Sequence, residues 1–189
     1  MYYKKILAAA LTVSCIGGIV PANSVQAASL KIRYSGKTRY YKGKQLHVSY
    51  ANKNLSSKYV GIQINKVNMI PYYDYLVKQG PKVKRTYSKS SGKLILKNGD
   101  DTLTAYVGKR TYYLNGVKKT FSVAPTKVKY YKTKKTIILI PANAIVKGLG
   151  LNYKYSSSSK RIYITQPVIR FNNTGPNTTK WFCAVYKLQ

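Results

Sequence analysis

From Leu30 onward apolar and polar residues alternate in short runs, each stopped by glycine, proline or a polar pair. Period two sends successive side chains to opposite faces, so each run reads as a half-buried strand. Ile32 and Tyr34 precede Ser35-Gly36-Lys37, Arg39-Tyr40-Tyr41 leads to Lys42-Gly43, and Leu46 and Val48 follow. The pattern predicts a meander of short strands with glycine turns. Residues 51–58 are polar and read as a loop, and Tyr59 to Ile64 as another strand. The pattern returns over Thr102 to Val107, Arg110 to Leu114 and Val117 to Val123. Asn115-Gly116 is its strongest hairpin signal, because both residues tolerate positive φ.

Two stretches depart from period two. Ala142, Ile145, Val146 and Leu149 fall at helical spacing and make one apolar stripe. Pro141 can open that helix, and Gly148 or Gly150 can close it in the left-handed conformation. Tyr72, Tyr75, Leu76 and Val77 form the matching stripe after Pro71. Tyrosines replace aliphatic residues there, so this half should pack less tightly or face a partner; stripes of this kind usually belong to a core. The two stretches sit inside a repeat. Ile70-Pro71 matches Ile140-Pro141 and Gly80 matches Gly150, 70 positions apart; Tyr87-Ser88 matches Tyr155-Ser156 and Leu94-Ile95-Leu96 matches Ile162-Tyr163-Ile164, 68 apart. The predicted fold is therefore α+β and β-dominated. It has two similar units of antiparallel strands (about residues 31–98 and 102–165), each with one short Pro-initiated helix packed on the sheet.

The ends read differently. Lys4 and Lys5, the apolar run Ile6 to Val20, Pro21 and the small residues around Val25-Gln26-Ala27 have the form of a secretory signal over residues 1–27. The run is short for a membrane anchor and its far end is not basic. Cys15 lies inside the run, not at its end, which argues against a lipid attachment. Cleavage would leave residues 28–165 as the domain and 166–189 as a linker and short tail. It would also leave Cys183 as the single thiol, so stability must come from packing.

Charge adds the next constraint. The 189 residues hold 34 Lys and Arg against 3 acidic residues, for a net +31. Removing Lys4 and Lys5 leaves 32 against 3, or +29. Such a field repels cations and draws polyanions at long range. Asp74, Asp100 and Asp101 are the whole acidic inventory and His47 the whole imidazole inventory. Paired-carboxylate catalysis has only Asp100-Asp101, beside the turn-forming Asn98-Gly99. A Ser-His-Asp triad would need His47, and no Gly-x-Ser-x-Gly elbow is present. Cys183 could pair with His47 only from an irregular tail. The inventory predicts no catalysis.

The order Tyr106-Val107-Gly108-Lys109-Arg110-Thr111-Tyr112-Tyr113-Leu114-Asn115-Gly116-Val117-Lys118-Lys119, Ala124-Pro125, Ile140-Pro141-Ala142, Leu149-Gly150-Leu151, Ile162-Tyr163-Ile164 resembles the copper amine oxidase N-terminal-like, or stalk, domain of secreted Gram-positive bacterial proteins. The likeness is good over about residues 60–165 and looser over 31–60. The family's usual Pro-x-Arg is Pro141-Ala142-Asn143 here. The resemblance implies an extracellular, non-catalytic β-rich module, often attached to wall-associated hydrolases. Copper itself is not expected. Tyr72-Tyr73-Asp74-Tyr75 is only superficially like a quinone-forming motif, and one His with no Glu and no paired Cys cannot make a tight copper site. No metal or other cofactor is expected.

What remains is cation and ring together. All but Tyr2 and Tyr3 of the 20 Tyr lie beyond the signal, interleaved with Lys and Arg. Most are read as sheet packing with solvated lysines between them. The densest segment is Lys127, Lys129, Tyr130, Tyr131, Lys132, Lys134 and Lys135, whose adjacent rings must point to opposite faces. These residues are the candidate polyanion-binding site. The expected function is a secreted, cell-wall-associated binding or spacer module holding anionic wall polymer or glycan by charge. The alternative is an extracellular nucleic-acid or anionic-lipid binder.

Overall fold

A computed structural model describes residues 30–43 and 45–168; the expected signal segment, its cleavage site, Cys183 and most of the tail lie outside them. Strands dominate: β1 (Leu30–Tyr34), β2 (Lys37–Tyr41), β3 (His47–Tyr50), β4 (Lys53–Leu55), β5 (Ile62–Ile64), β6 (Val67–Pro71), β7 (Lys84–Tyr87) and β8 (Lys93–Asn98) precede β9 (Asp101–Tyr106). After it come β10 (Thr111–Leu114), β11 (Val117–Thr120), β12 (Thr126–Tyr130), β13 (Lys135–Pro141), β14 (Asn152–Ser156) and β15 (Arg161–Thr165). A π-helical segment, Tyr73–Gln79, follows β6, and helix α1, Ala142–Gly148, follows β13. Among the described residues no helix is long and apolar enough to cross a membrane. The architecture is α+β with a strong excess of sheet.

Tight turns punctuate it where the sequence allows left-handed backbone. Ser35-Gly36 joins β1 to β2 and Asn115-Gly116 joins β10 to β11, with φ of 49° and 74°, then 49° and 81°. Positive φ at both central residues matches the right-handed twist of the paired strands. Ala51-Asn52 and Asn65-Lys66 turn in the same way without glycine. The first of these closes β3 onto β4, a strand within the segment expected to be a loop; Lys53-Asn54-Leu55 has one buried residue and almost no apolar signal.

Three sheets result, ordered β2-β1-β12-β13-β6-β5, β11-β10-β9-β8-β7 and β14-β15-β3-β4. The halves of the chain exchange strands. Hairpin β7–β8 joins β9, β10 and β11, while hairpin β14–β15 joins β3 and β4 through a parallel β15–β3 pair. At the centre β6 and β13 run antiparallel, with Ile70 opposite Ile140, Met69 opposite Pro141 and Pro71 opposite Leu139.

The six-stranded sheet carries a core on each face. Ile70 and Ile140 point into the larger one, with Leu46, Val48, Leu76, Leu94, Leu103, Ile145, Val146 and Ile162. Tyr112 and Phe121 stack there with centroids 3.9 Å apart. The other face gathers Ile32, Ile62, Met69, Val128, Tyr130 and Leu139. The helical stripes are both buried. Ala142, Ile145, Val146 and Leu149 are sealed in α1, and Tyr72, Tyr75 and Leu76 are as deep, so the tyrosine-bearing half packs rather than facing a partner. Pro141 stands just before α1 in extended conformation, ending β13, and Gly150 (φ +70°) turns the chain out of the helix. The first helical segment ends differently, with the N–H of Gly80 donating to the Tyr75 carbonyl over 3.1 Å and no left-handed residue.

Candidate functional site

The face of the six-stranded sheet that meets the larger core at β13 and β6 is open to solvent at β2, β1 and β12. Alternation decides what it shows. On β1, Ile32 turns inward while Lys31 and Arg33 turn out; on β12, Val128 and Tyr130 turn inward while Lys127 and Lys129 turn out. Registration then assembles them: Arg33 lies opposite Lys129 and Thr38, and Lys31 lies opposite Tyr40. The N–H of Tyr131 donates to the Lys31 carbonyl over 3.1 Å and extends the pairing by one residue.

The rings and cations interlock. The Lys31 ammonium stands 5.1 Å from the Tyr131 ring centroid and 5.4 Å from that of Tyr40, and the Lys129 ammonium stands 5.5 Å from Tyr131. The hydroxyls of Tyr131 and Thr38 share a 3.0 Å hydrogen bond. That bond lowers the Tyr131 pKa, and the positive charges of Lys129, Arg33 and Lys31 lower it further. Tyr40 is 59% exposed. None of the three carboxylates sits on any strand of this sheet. The field over the face is therefore positive without internal compensation, and every cation keeps its capacity for an anion.

Of the residues expected from the sequence, Lys127, Lys129 and Tyr131 come together here. Tyr130 does not: it is 2% exposed and its hydroxyl donates to the Val60 carbonyl over 2.6 Å. Its ring packs edge-on to Tyr59, and its pKa is raised by burial. It is a core residue and is withdrawn as a contact. Lys135 pairs with Tyr130 and so belongs to the reverse face, while Lys132 and Lys134 occupy the turn after Tyr131, Lys134 at φ +55°. Lys31, Arg33, Thr38 and Tyr40 share this face and lie outside the expected segment. Arg39-Tyr40-Tyr41-Lys42 carried the cation–ring signal, but nothing in it said that β1 would dock on β12.

At the Lys127 end the face opens into a cleft of about 460 Å³ between the β7–β8 turn, the β9–β10 turn and the first residue of the β1–β2 turn. Ser35, Lys89, Ser90, Ser91, Thr126 and Lys127 give it hydroxyl and ammonium groups.

The groups weighed for catalysis are dispersed. The Asp74 carboxylate accepts a short hydrogen bond from the Ser57 hydroxyl, and Asp101 accepts one from the Asn115 side-chain amide at 2.9 Å. His47 opens β3 and lies beside Arg161 of β15. Among the described residues no three His, Cys, Asp or Glu side chains gather to hold a metal ion.

Comparison with known families agrees with this layout. The sequence model of the copper amine oxidase N-terminal domain matches residues 50–164. The chain belongs to the copper amine oxidase N-terminal domain family. In that family the domain is a non-catalytic, stalk-like module. The matched span takes in β12 and both helical segments, while β1, β2 and the start of β3 precede it. Half of the basic face of this family member thus comes from residues outside the match. No curated protein and no solved structure matches the chain.

Proposed function

We propose that the protein is a secreted, non-catalytic stalk or spacer module of a Gram-positive cell surface that holds anionic wall polymer on the β2–β1–β12 face. The observation that carries this reading is the convergence of Lys31, Arg33, Lys127 and Lys129 with the Tyr40 and Tyr131 rings on a sheet whose strands carry no carboxylate. A net charge of +31 and a signal-like amino terminus support it. Duplication also supports a spacer role. We read the fold as two copies of one unit that have exchanged hairpins about the Ile70–Ile140 pair. The Ser88–Ser90 and Ser156–Ser158 hydroxyl pairs, each at 3.0 Å in equivalent turns, fit that reading.

Binding of this kind releases counterions, so affinity falls as a power of salt set by the charges neutralised. Engaging about four cations gives a log–log slope near −3, or roughly sixty-fold weaker binding between 50 and 200 mM salt. The test is co-sedimentation with purified wall across a salt series. Lys31→Glu/Lys129→Glu should weaken binding and flatten the slope without lowering the thermal midpoint, since both side chains are exposed and the change relieves like-charge repulsion. Unchanged affinity with an unchanged slope would refute the assignment of the face.

A further inference from the structure

The basic face and the cleft at its end form one continuous surface, joined by Lys127. We infer that the surface is built for a polyol-phosphate chain, the cation rows taking successive phosphodiesters and the open cleft taking one phosphate beside its hydroxyl and lysine residues. The inference deepens the proposed function and rests on that reading of the face.

Spacing comes first. Lys31 and Arg33 succeed one another along β1, with Ser35 in the turn just beyond, and Lys129 and Lys127 along β12, with Tyr131 just past its end. Residues two apart on one strand are separated by roughly 6.6 Å. An extended chain with one phosphate per short polyol unit carries its charges at comparable steps, so each row can meet one phosphate without bending the polymer.

Donor chemistry favours phosphate over carboxylate. Three of the four cations on the open face are lysines, which hold phosphate as point charges, and the guanidinium fork of Arg33 suits phosphate as well. The cleft adds the hydroxyl residues Ser35, Ser90 and Ser91 to the lysines Lys89 and Lys127. Ser91 Oγ accepts from the Lys93 N–H at 3.3 Å, which leaves its own hydrogen to donate. Donors approaching from several directions match the tetrahedral oxygens of a phosphate better than a flat carboxylate.

Ring placement favours a polymer without bases. A single-stranded nucleic acid is held by rings that stack successive bases. Here Tyr40 and Tyr131 both belong to the Lys31 row, while the next row offers Thr38 and the cleft offers serines. One pair of rings can lie against a polyol unit; nothing follows it along the track for a second base.

The test uses the full chain and three probes of equal charge: a poly(glycerol phosphate) oligomer, an oligogalacturonate and a single-stranded DNA. Ser35→Ala/Ser91→Ala and, separately, Lys89→Gln should each weaken the phosphate oligomer about tenfold, the size of one lost charge-assisted hydrogen bond. Ser35→Ala/Ser91→Ala leaves every charge in place and should change oligogalacturonate binding by no more than about twofold. The lysine variant keeps all the hydroxyls, so a turn distorted by the serine changes cannot mimic the result. If both cleft variants bind the phosphate oligomer like the wild type while Lys31→Glu/Lys129→Glu loses it, the cleft is refuted and the face stands. If Lys31→Glu/Lys129→Glu loses nothing, the face is refuted and this inference falls with it. Tighter binding of the DNA, or equal binding of the oligogalacturonate, overturns the polyol-phosphate assignment.

Discussion

Tyr130 and Tyr131 are neighbours with opposite fates, and strand geometry alone separates them. Tyr130 is sealed among Ile32, Ile62 and Leu139, whereas Tyr131 lies beside two ammonium groups in reach of water. Burial disfavours the Tyr130 phenolate, whereas the Thr38 hydrogen bond and then nearby cations favour that of Tyr131, so the two pKa values move apart. The same burial raises Tyr72 and Tyr153, and pushes Tyr75 up to about 12. The consequence for stability has a definite sign. A tyrosine whose folded pKa exceeds its unfolded value of 10.0 supports the fold fully below pH 10, and that support is lost as pH rises through the folded value. Tyr131, lowered in the fold, contributes stability that is fully present above pH 10 and is lost as pH falls through its folded value. We therefore expect phenolate absorbance to rise in two stages. An early stage that includes Tyr131 should leave the circular dichroism of the fold intact. A late stage between about pH 10 and 12 should coincide with unfolding, because Tyr75 and Tyr130 ionise readily only once exposed. Tyr131→Phe should remove amplitude from the first stage alone. A single stage with no accompanying loss of structure would show that these rings are not sealed.

Elements were legible wherever the reason for them was local. Ser35-Gly36 and Asn115-Gly116 announce their hairpins because left-handed backbone needs particular residues, and the α1 stripe announces a helix because all four of its apolar residues are buried. Strand β4 was not legible, since an edge strand of Lys53-Asn54-Leu55 has almost no face to bury. Periodicity also cannot name a strand's partner. The exchange of hairpins between halves and the parallel β15–β3 pair depend on contacts between distant residues, and the docking of β1 on β12 brings half of the site with it. Hence Lys127, Lys129 and Tyr131 could be found from the sequence and Lys31, Arg33 and Tyr40 could not. The end of α1 shows how local and distant causes combine. Gly150 sits at φ +70°, and the Asn98 side-chain amide donates to the Leu149 carbonyl at 2.7 Å. A Cβ at residue 150 would come within 2.5 Å of Asp101 Oδ2, whose carboxylate is tied to Asn115. Gly150→Ala should then cost about 1 kcal/mol for the left-handed backbone and more for displacing the carboxylate. Gly150→Ala/Asp101→Ala should recover part of that excess, read in urea unfolding as a double-variant cost smaller than the sum of the two single costs. Additive costs would mean that the carboxylate moves aside freely.

At the scale of the whole molecule, charge acts on folding and on binding with opposite signs. A net +31 with three carboxylates means that compaction brings cations together across the whole surface, most densely at Lys31, Arg33, Lys127 and Lys129. The fold withstands this because its two apolar cores and paired strands do not depend on ion pairs. Salt shortens the reach of the repulsion, with a screening length of about 10 Å at 0.1 M and shorter above it. Added salt should therefore stabilise the free protein. The same screening weakens a polyanion on the face by counterion release. We expect the thermal midpoint of the free protein to rise steadily from low salt to about 0.5 M, and the affinity for wall polymer to fall over the same range. Saturating polymer at low salt should raise the midpoint by mass action, and that increment should vanish as salt increases. Differential scanning fluorimetry with and without purified wall polymer at matched salt concentrations follows both trends. A midpoint of the free protein that falls with salt would show that attraction, not repulsion, dominates its charge pattern. A polymer increment that survives high salt would place the binding energy in ring stacking and hydroxyl contacts at Tyr40, Tyr131 and the cleft, not in the lysine rows.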